Sequence, residues 1–327
     1  MVPIKRIGVF TSGGDAPGMN ACIRAVVRTG LTNGVAMYGI LRGYQGLVEG
    51  ELKPMTSRSV SNIIQLGGTI LKTARSKEFM TEEGMEAAYR HYKEKQLDGL
   101  VAIGGDGTFK GALAFMEKYP DVRMVGIPGT IDNDLAGTDF TLGFDTALNT
   151  VIEAVDKIRD TAASHNRCFL IEVMGRDSGC IALWAGIAGG AEEILLPEIP
   201  TDLEGLVKSL EDGKNKNKTS SIFLVAEGEK NGGANELATA LKARVPDYEP
   251  KVTVLGHVQR GGSPTANDRI LGAKMGVWAV EALLNGESGI MIGVKAGAAK
   301  RVPFKEATRQ ENPLDNELFR INRILAS

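Results

Sequence analysis

Two acids stand two residues apart in the stretch VGIPGTIDND, residues 125–134: Asp132 and Asp134. Carboxylates that close repel, so the pair needs a stabilising reason. A polar surface turn is one reason. Chemistry is another, because a positioned carboxylate can take the proton of an attacking hydroxyl. If residues 129–134 run extended, Thr130, Asp132 and Asp134 share one face, while Ile131 and Asn133 point away. A hydroxyl and two carboxylates would then aim at one place.

Three other segments have the make-up of a phosphate cradle. TSGGDAPGMNACIRAVV follows a short apolar run and opens a helical pattern, so its amides and helix N-terminus suit an anion. AIGGDGTFKGAL, residues 102–113, repeats the design and adds Asp106. A carboxylate among exposed amides beside phosphates makes sense chiefly through Mg²⁺, which offsets its charge. GGTILKTARS, residues 67–76, brings Arg75 for phosphate oxygens. Further cations are sparse and sit at the ends of apolar runs: Arg167 in SHNRC, Arg176 in IEVMGRDSG, and His257 and Arg260 in LGHVQRGGSP. A sugar phosphate would require such placements. Phosphoryl transfer needs these parts together: a base for the acceptor hydroxyl and positive charge for the transferring group.

The elements that must position these residues alternate. Short β-branched runs at 7–10, 35–41, 99–104, 124–128, 168–174, 193–198, 221–228, 251–258 and 290–297 are the expected strands. Helical patterns lie between them, clearest at 82–96, 144–165 and 267–284. In the second, Ala147, Val151, Ala154, Val155 and Ile158 form one apolar stripe. The alternation predicts parallel sheets covered by helices on both faces. Ligands of such sheets bind beyond the carboxyl ends of the strands, which is where the glycine-rich and acidic motifs fall.

The chain has 327 residues, enough for two domains. A formal net charge of −2 argues against a nucleic-acid surface, so any anion site is a local cluster. Three cysteines without a C-x-x-C pair predict buried free thiols and a reducing cytoplasm. No apolar stretch builds up before TSGGD, so no signal peptide is expected, and the longest uncharged run, 178–191, is too short to span a bilayer. Walker A, spaced G-x-G-x-x-G and protein-kinase signatures are absent. GGDGT by itself also resembles a motif of NAD and diacylglycerol kinases.

Together the motifs resemble those of bacterial ATP-dependent 6-phosphofructokinases. TSGGDAPGMNA, GGDGT, PGTIDND, EVMGR and LGHVQRGGSP stand in that family's order and spacing, over nearly the whole chain. PGTIDND with GGDAPGMN is specific enough to exclude the other kinases that share GGDGT. The resemblance implies two doubly wound, three-layer α/β/α domains. Residues 1–141 plus 257–305 would bind ATP, and 142–256 plus 306–327 would bind fructose 6-phosphate. The chain would cross between them more than once, and closure would shield the reaction from water.

The resemblance also implies roles. Asp132 would be the base for the sugar's 1-hydroxyl, with Thr130 near that hydroxyl and the γ-phosphate and Asp134 supporting the region. Asp106 would hold Mg²⁺. Gly13, Tyr44, Arg75, Ser76, Gly105, Gly107 and Thr108 would line ATP, while Arg176 and the Gly14 amide would stabilise the transferring group. Met174, Gly175, Glu227, His257 and Arg260 would hold the sugar phosphate. Arg167 would reach it from a neighbouring subunit of a homotetramer. Arg24, Arg28, Arg58, Arg159, Lys216, Lys218 and Glu192 would line an effector site for a nucleoside diphosphate or phosphoenolpyruvate.

One position departs from the pattern. Lys251 stands where the family usually has a second arginine from the neighbour. Lysine keeps the charge but loses the planar fork. Relatives that use pyrophosphate carry Asp at the position of Gly107 and Lys at that of Gly129; here both are Gly, which favours ATP. The readings set against this one are a pyrophosphate-dependent phosphofructokinase, an NAD-linked oxidoreductase and a catalytically dead nucleotide sensor. The dead subunit would predict loss of Asp106, Asp132 or Arg176, and all three are present.

Overall fold

A computed structural model describes residues 4–163, 168–215, 221–246, 249–309 and 315–325. The chain divides into two compact units. The first comprises residues 1–131, 135–146 and 260–312; the second comprises 132–134, 147–259 and 313–327.

The first unit is built on a seven-stranded sheet of β1 (Arg6–Ser12), β2 (Ala36–Ile40), β3 (Leu52–Met55), β4 (Gly99–Gly104), β5 (Met124–Pro128), β10 (Ile290–Lys295) and β11 (Ala298–Pro303). Their order is β11-β10-β5-β4-β1-β2-β3. The five central strands are parallel, and both edge strands run antiparallel to their neighbours. The parallel sheet expected from the sequence is present, with an antiparallel strand added at each edge that the sequence reading did not anticipate. β3 carries Pro54, and the exposed, charged β11 carries Lys300 and Arg301, so neither shows the unbroken apolar run that marks a central strand.

Helices of this unit are α1 (Met19–Thr32), α2 (Tyr44–Glu49), α3 (Glu82–Glu94), α4 (Asp106–Lys118), the start of α5 (Phe144–Ala163), α9 (Ala266–Leu284) and α10 (Phe304–Ala307). Alternate strand residues face opposite ways. Phe10, Leu100, Ala102 and Met124 join residues of α2, α3, α4 and α10 in one buried cluster. The other face meets α1 and α9: Met37 lies against Gly30 of α1, and Gly99 against Leu283 of α9. At Gly272 and Gly276, one turn apart on α9, an added Cβ would lie about 3 Å from α1 atoms, so the two helices sit in close contact.

The second unit has a four-stranded, wholly parallel sheet ordered β7-β8-β6-β9. Its strands are β6 (Cys168–Val173), β7 (Glu193–Leu195), β8 (Ser221–Ala226) and β9 (Lys251–Val254). The rest of α5, α6 (Cys180–Gly189), α7 (Leu203–Asn215), α8 (Gly233–Arg244) and α11 (Asn316–Leu325) complete it. Val151 and Val155 of the α5 stripe are fully buried.

The start of α5 is capped by a side chain from α9. The buried Asp268 carboxylate accepts from Gly143 N at 2.7 Å, from Thr146 N at 2.8 Å and from the Thr146 hydroxyl at 2.5 Å. A carboxylate there satisfies amides that the helix itself leaves open. Burial pushes the Asp268 carboxyl above its usual range, and those donors oppose the shift.

Candidate functional site

In the first unit the phosphate-type loops share one rim. Ser12 of β1 is registered with Gly104 of β4, and Gly104 with Pro128 of β5. The next residues, Gly13, Gly105 and Gly129, thus leave three adjacent parallel strands at their carboxyl ends, about 4.8 Å apart. Gly13 has φ +84°, a backbone state that costs glycine little. Gly105 is the residue before α4, so the α4 amides open onto this rim. The Thr108 hydroxyl donates to Ser12 O at 3.3 Å, and Gly129 N donates to Gly104 O at 3.0 Å, tying the three loops together.

Asp106 begins α4, and its carboxylate pairs with Lys110 at 2.7 Å, one turn on. Gly107 is exposed, and a Cβ built there meets nothing within 4 Å. Gly129 differs: a Cβ there would meet Ile103 at 3.0 Å, Met19 at 3.1 Å and Gly104 N at 3.3 Å. Gly14 lies under Arg260, whose guanidinium also donates to Asp15 O at 3.2 Å. Arg260 thus sits on the phosphate-type loop of the first unit. Arg75 is exposed, and the Ser76 hydroxyl donates to Gln45 at 2.7 Å. Tyr44 lies within the core: its ring stacks on Phe79, and its hydroxyl donates to Thr108 O at 2.6 Å, supporting the first turn of α4. Burial pushes its phenol pKa upward.

Sequence reasoning passed over the residue that holds this rim to the 66–72 segment. Asn20, 1% exposed, donates to Leu66 O and Gly67 O at 3.1 Å each and accepts from Ile70 N at 2.8 Å. The Thr11 hydroxyl adds a bond to Lys72 O at 2.9 Å. The signal was a polar residue on the buried face of an apolar helix, inside the quoted GGDAPGMN. Asn20→Ala leaves a buried amide and two carbonyls without their partner. It should cost about 3 kcal/mol of stability, measured as a lowered urea midpoint at unchanged m-value.

The acid-bearing segment does not run extended. Residues 131 and 132 are bends, and Asn133 is left-handed at φ +51°. The alternation argument for Thr130, Asp132 and Asp134 is therefore corrected, since a left-handed residue breaks the two-residue period. Thr130 is buried, and its carbonyl accepts from the Thr141 hydroxyl at 2.6 Å. Asp132 and Asn133 are buried as well, and the Cys180 thiol lies 3.9 Å from Asn133 O. Asparagine adopts left-handed backbone more readily than most non-glycine residues, so Asn133 turns the segment at little cost.

Arg176 also has left-handed backbone, at φ +54°, directly after Gly175 at φ +143°. Its side chain is exposed, and its turn is clamped by two others. Glu227 accepts from Gly175 N at 3.3 Å and from Arg176 N at 2.8 Å. Gln259, fully buried, accepts from Met174 N at 3.2 Å and donates to Gly256 O at 2.9 Å. Gln259 was also missed, though it lies inside LGHVQRGGSP. The exposed His257 stands on the 3₁₀ turn that Gln259 holds, and Lys251 opens β9 with its ammonium 3.0 Å from Glu249.

Of the proposed effector residues, Arg24 and Arg28 lie one turn apart on α1 and Arg58 is exposed, all in the first unit. In the second, Arg159 donates to Gly189 O at 2.5 Å and Gly190 O at 2.8 Å, and Glu192 accepts from Ile222 N at 2.6 Å. Arg167, Lys216 and Lys218 lie outside the described residues. The three cysteines are free and buried, and burial raises all three thiol pKa values, Cys168 to about 12.

A family model described as phosphofructokinase matches residues 6–283. The chain belongs to the phosphofructokinase family. An ATP-dependent 6-phosphofructokinase 1 of Thermus thermophilus is 56% identical over 323 residues, covering 99% of this chain and 100% of that one. An ATP-dependent 6-phosphofructokinase 2 of Bacteroides thetaiotaomicron is 52% identical over the full length of both. Among solved structures, phosphofructokinase from Saccharomyces cerevisiae superposes with a TM-score of 0.89 at 37% identity, over 98% of this chain and 48% of that chain. A pyrophosphate-dependent phosphofructokinase from Marinobacter aquaeolei superposes at 0.83 with 23% identity, over 96% of this chain and 86% of that one, and shares the fold. The two-sheet α/β architecture is thus the phosphofructokinase fold. Among the described residues, no helix is long and apolar enough to cross a membrane.

Proposed function

We infer that the chain is an ATP-dependent 6-phosphofructokinase, moving the γ-phosphate of ATP to the 1-hydroxyl of fructose 6-phosphate in glycolysis. The observation that carries this is the shared rim of Gly13, Gly105 and Gly129, together with full-length identity of 50% or more to relatives named for that activity. The rim offers amides and a helix N-terminus to phosphates, with Arg75 and Ser76 on the adjoining segment. Asp132 takes the proton of the hydroxyl. Arg176 and the Gly14 amide face the charge that develops on the transferring group, and Thr130 orients the acceptor. Met174, Gly175, Glu227, His257 and Arg260 bind the sugar phosphate.

Mg²⁺ fits this donor set. Among the described residues no group of three or more acids, histidines or cysteines could cage a metal, and Asp106 offers one carboxylate beside the phosphate rim. Magnesium is held in that manner, by one or two carboxylates plus phosphate oxygens and water. It supplies positive charge to the phosphate oxygens when bound.

The neighbour's Arg167 and Lys251 would complete the sugar site in a homotetramer, and Arg24, Arg28, Arg58, Arg159, Glu192, Lys216 and Lys218 would bind a nucleoside diphosphate or phosphoenolpyruvate. A lysine forms one directed contact where an arginine forks. Lys251→Arg should therefore lower the KM for fructose 6-phosphate about tenfold and alter the Hill coefficient. An unchanged KM and Hill coefficient would reject the idea that lysine at this position weakens or re-couples sugar-phosphate binding.

The assignment as a whole is tested by mixing the protein with fructose 6-phosphate and Mg²⁺, with either ATP or pyrophosphate. Fructose 1,6-bisphosphate with ADP is expected from ATP. Turnover with pyrophosphate alone would overturn the donor.

A further inference from the structure

Among the described residues Lys110 is the one cation paired with Asp106. Its ammonium lies 2.7 Å from the carboxylate, one turn further along α4. Pairs at this spacing are common on helix surfaces, where they add little stability. Glu153 and Lys157 form one, with side chains 70% and 72% exposed. The Asp106 side chain differs in being only 29% exposed, against 61% for Lys110. The turn that carries it is also held: the Tyr44 hydroxyl donates to Thr108 O, and the Thr108 hydroxyl donates to Ser12 O. A carboxylate is thus kept at the phosphate rim, next to the open space at Gly107. Without a metal it repels any phosphate that arrives there. Lys110 is the charge that offsets it.

We propose that Lys110 is a resident counter-ion for Asp106, yielding the carboxylate to Mg²⁺ when the nucleotide binds. The proposal rests on the reading of Asp106 as the magnesium carboxylate. Before metal arrives, the ammonium neutralises the carboxylate and lets a nucleotide approach. Once the carboxylate is taken, the long flexible stem leaves Lys110 free to stay near the phosphates. Two cations that serve one carboxylate and one set of phosphates each lessen what the other adds, and such coupling is reciprocal. A metal-free nucleotide carries its full negative charge, so it depends more on Lys110 than a nucleotide whose charge Mg²⁺ has already offset. Lys110 therefore makes nucleotide binding less dependent on metal.

The test is calorimetric titration of the full chain with AMP-PNP, a non-hydrolysable ATP analogue, in excess Mg²⁺ and in excess EDTA. The ratio of the Kd in EDTA to the Kd in Mg²⁺ measures the dependence on metal. Lys110→Met keeps the aliphatic stem and removes the charge. It should raise the ratio about tenfold, chiefly through weaker binding in EDTA. Lys110→Arg keeps the charge and should keep the ratio near that of wild type. Equal weakening in Mg²⁺ and EDTA, or no change in either, would show a pair that serves the helix alone and would overturn the proposal. A ratio raised as much by Lys110→Arg would trace the effect to side-chain shape and overturn it too. Wild-type protein that binds no AMP-PNP even in Mg²⁺ would overturn the nucleotide reading itself, and the proposal with it.

Discussion

Asp132→Asn should leave a folded protein whose ATP-dependent turnover of fructose 6-phosphate falls about 10²–10⁴-fold, the usual share of a general base. The substitution keeps size and hydrogen-bonding capacity but removes the proton acceptor. Asp132 is 6% exposed, so its surroundings restrict the carboxylate, and a base acts on the proton only as the reaction proceeds. The loss should therefore fall on kcat, with the KM values of both substrates within a few-fold of wild type. An equal loss in KM would assign Asp132 to sugar binding. Turnover untouched by the substitution would mean that the acids of GTIDND do other work.

The framework of both sheets was legible because buried parallel strands read as short apolar runs. β4 and β5 fall on residues 99–104 and 124–128, as periodicity places them. The antiparallel edges were not legible, since Pro54 in β3 and the charges of β11 suit an edge and disguise it as loop. The ends of β1, β4 and β5 could be foreseen as one rim from the motifs that follow them. The shape of residues 131–134 could not. Its left-handed residue is an asparagine, a type that adopts that conformation readily, but the motif holds other residues that could turn, and only the fold shows that Asn133 is the one at φ +51°.

The missed residues share one character. Asn20, Gln259 and the capping Asp268 are polar and at most 1% exposed, and each bonds the backbone of a segment far away in sequence. Motif reading favours residues that touch ligands. These act one step behind, on loops that carry such residues. Asn20 holds the segment leading to Arg75, and Gln259 spans the turn of Arg176 and that of His257. The motifs GGDAPGMN and LGHVQRGGSP therefore combine ligand chemistry with scaffolding, which is why their length exceeds what contact with a phosphate requires.

Gly107→Asp should fold normally and lose ATP turnover. A Cβ at this position meets open space, so nothing in the fold demands glycine. Gly107 is the second residue of α4, where an added carboxylate helps the helix by about 0.3–1 kcal/mol. The melting temperature should hold or rise. The same carboxylate would face phosphate oxygens bound at that helix end. Like charges about 5 Å apart repel by about 3 kcal/mol at an effective dielectric of about 20, a few-hundred-fold loss in kcat/KM for ATP. Gly129 supplies the contrast. Its Cβ would press on Ile103, Met19 and Gly104 N at 3.0–3.3 Å, so even Gly129→Ala should lower stability by about 1–3 kcal/mol. One glycine is thus kept for what binds beside it, the other for what packs beneath it. Thermal melts of Gly107→Asp and Gly129→Ala, with ATP kinetics of the first, separate the two causes. A Gly107→Asp protein that folds and uses ATP at the wild-type kcat/KM would remove the electrostatic basis for reading ATP as the donor.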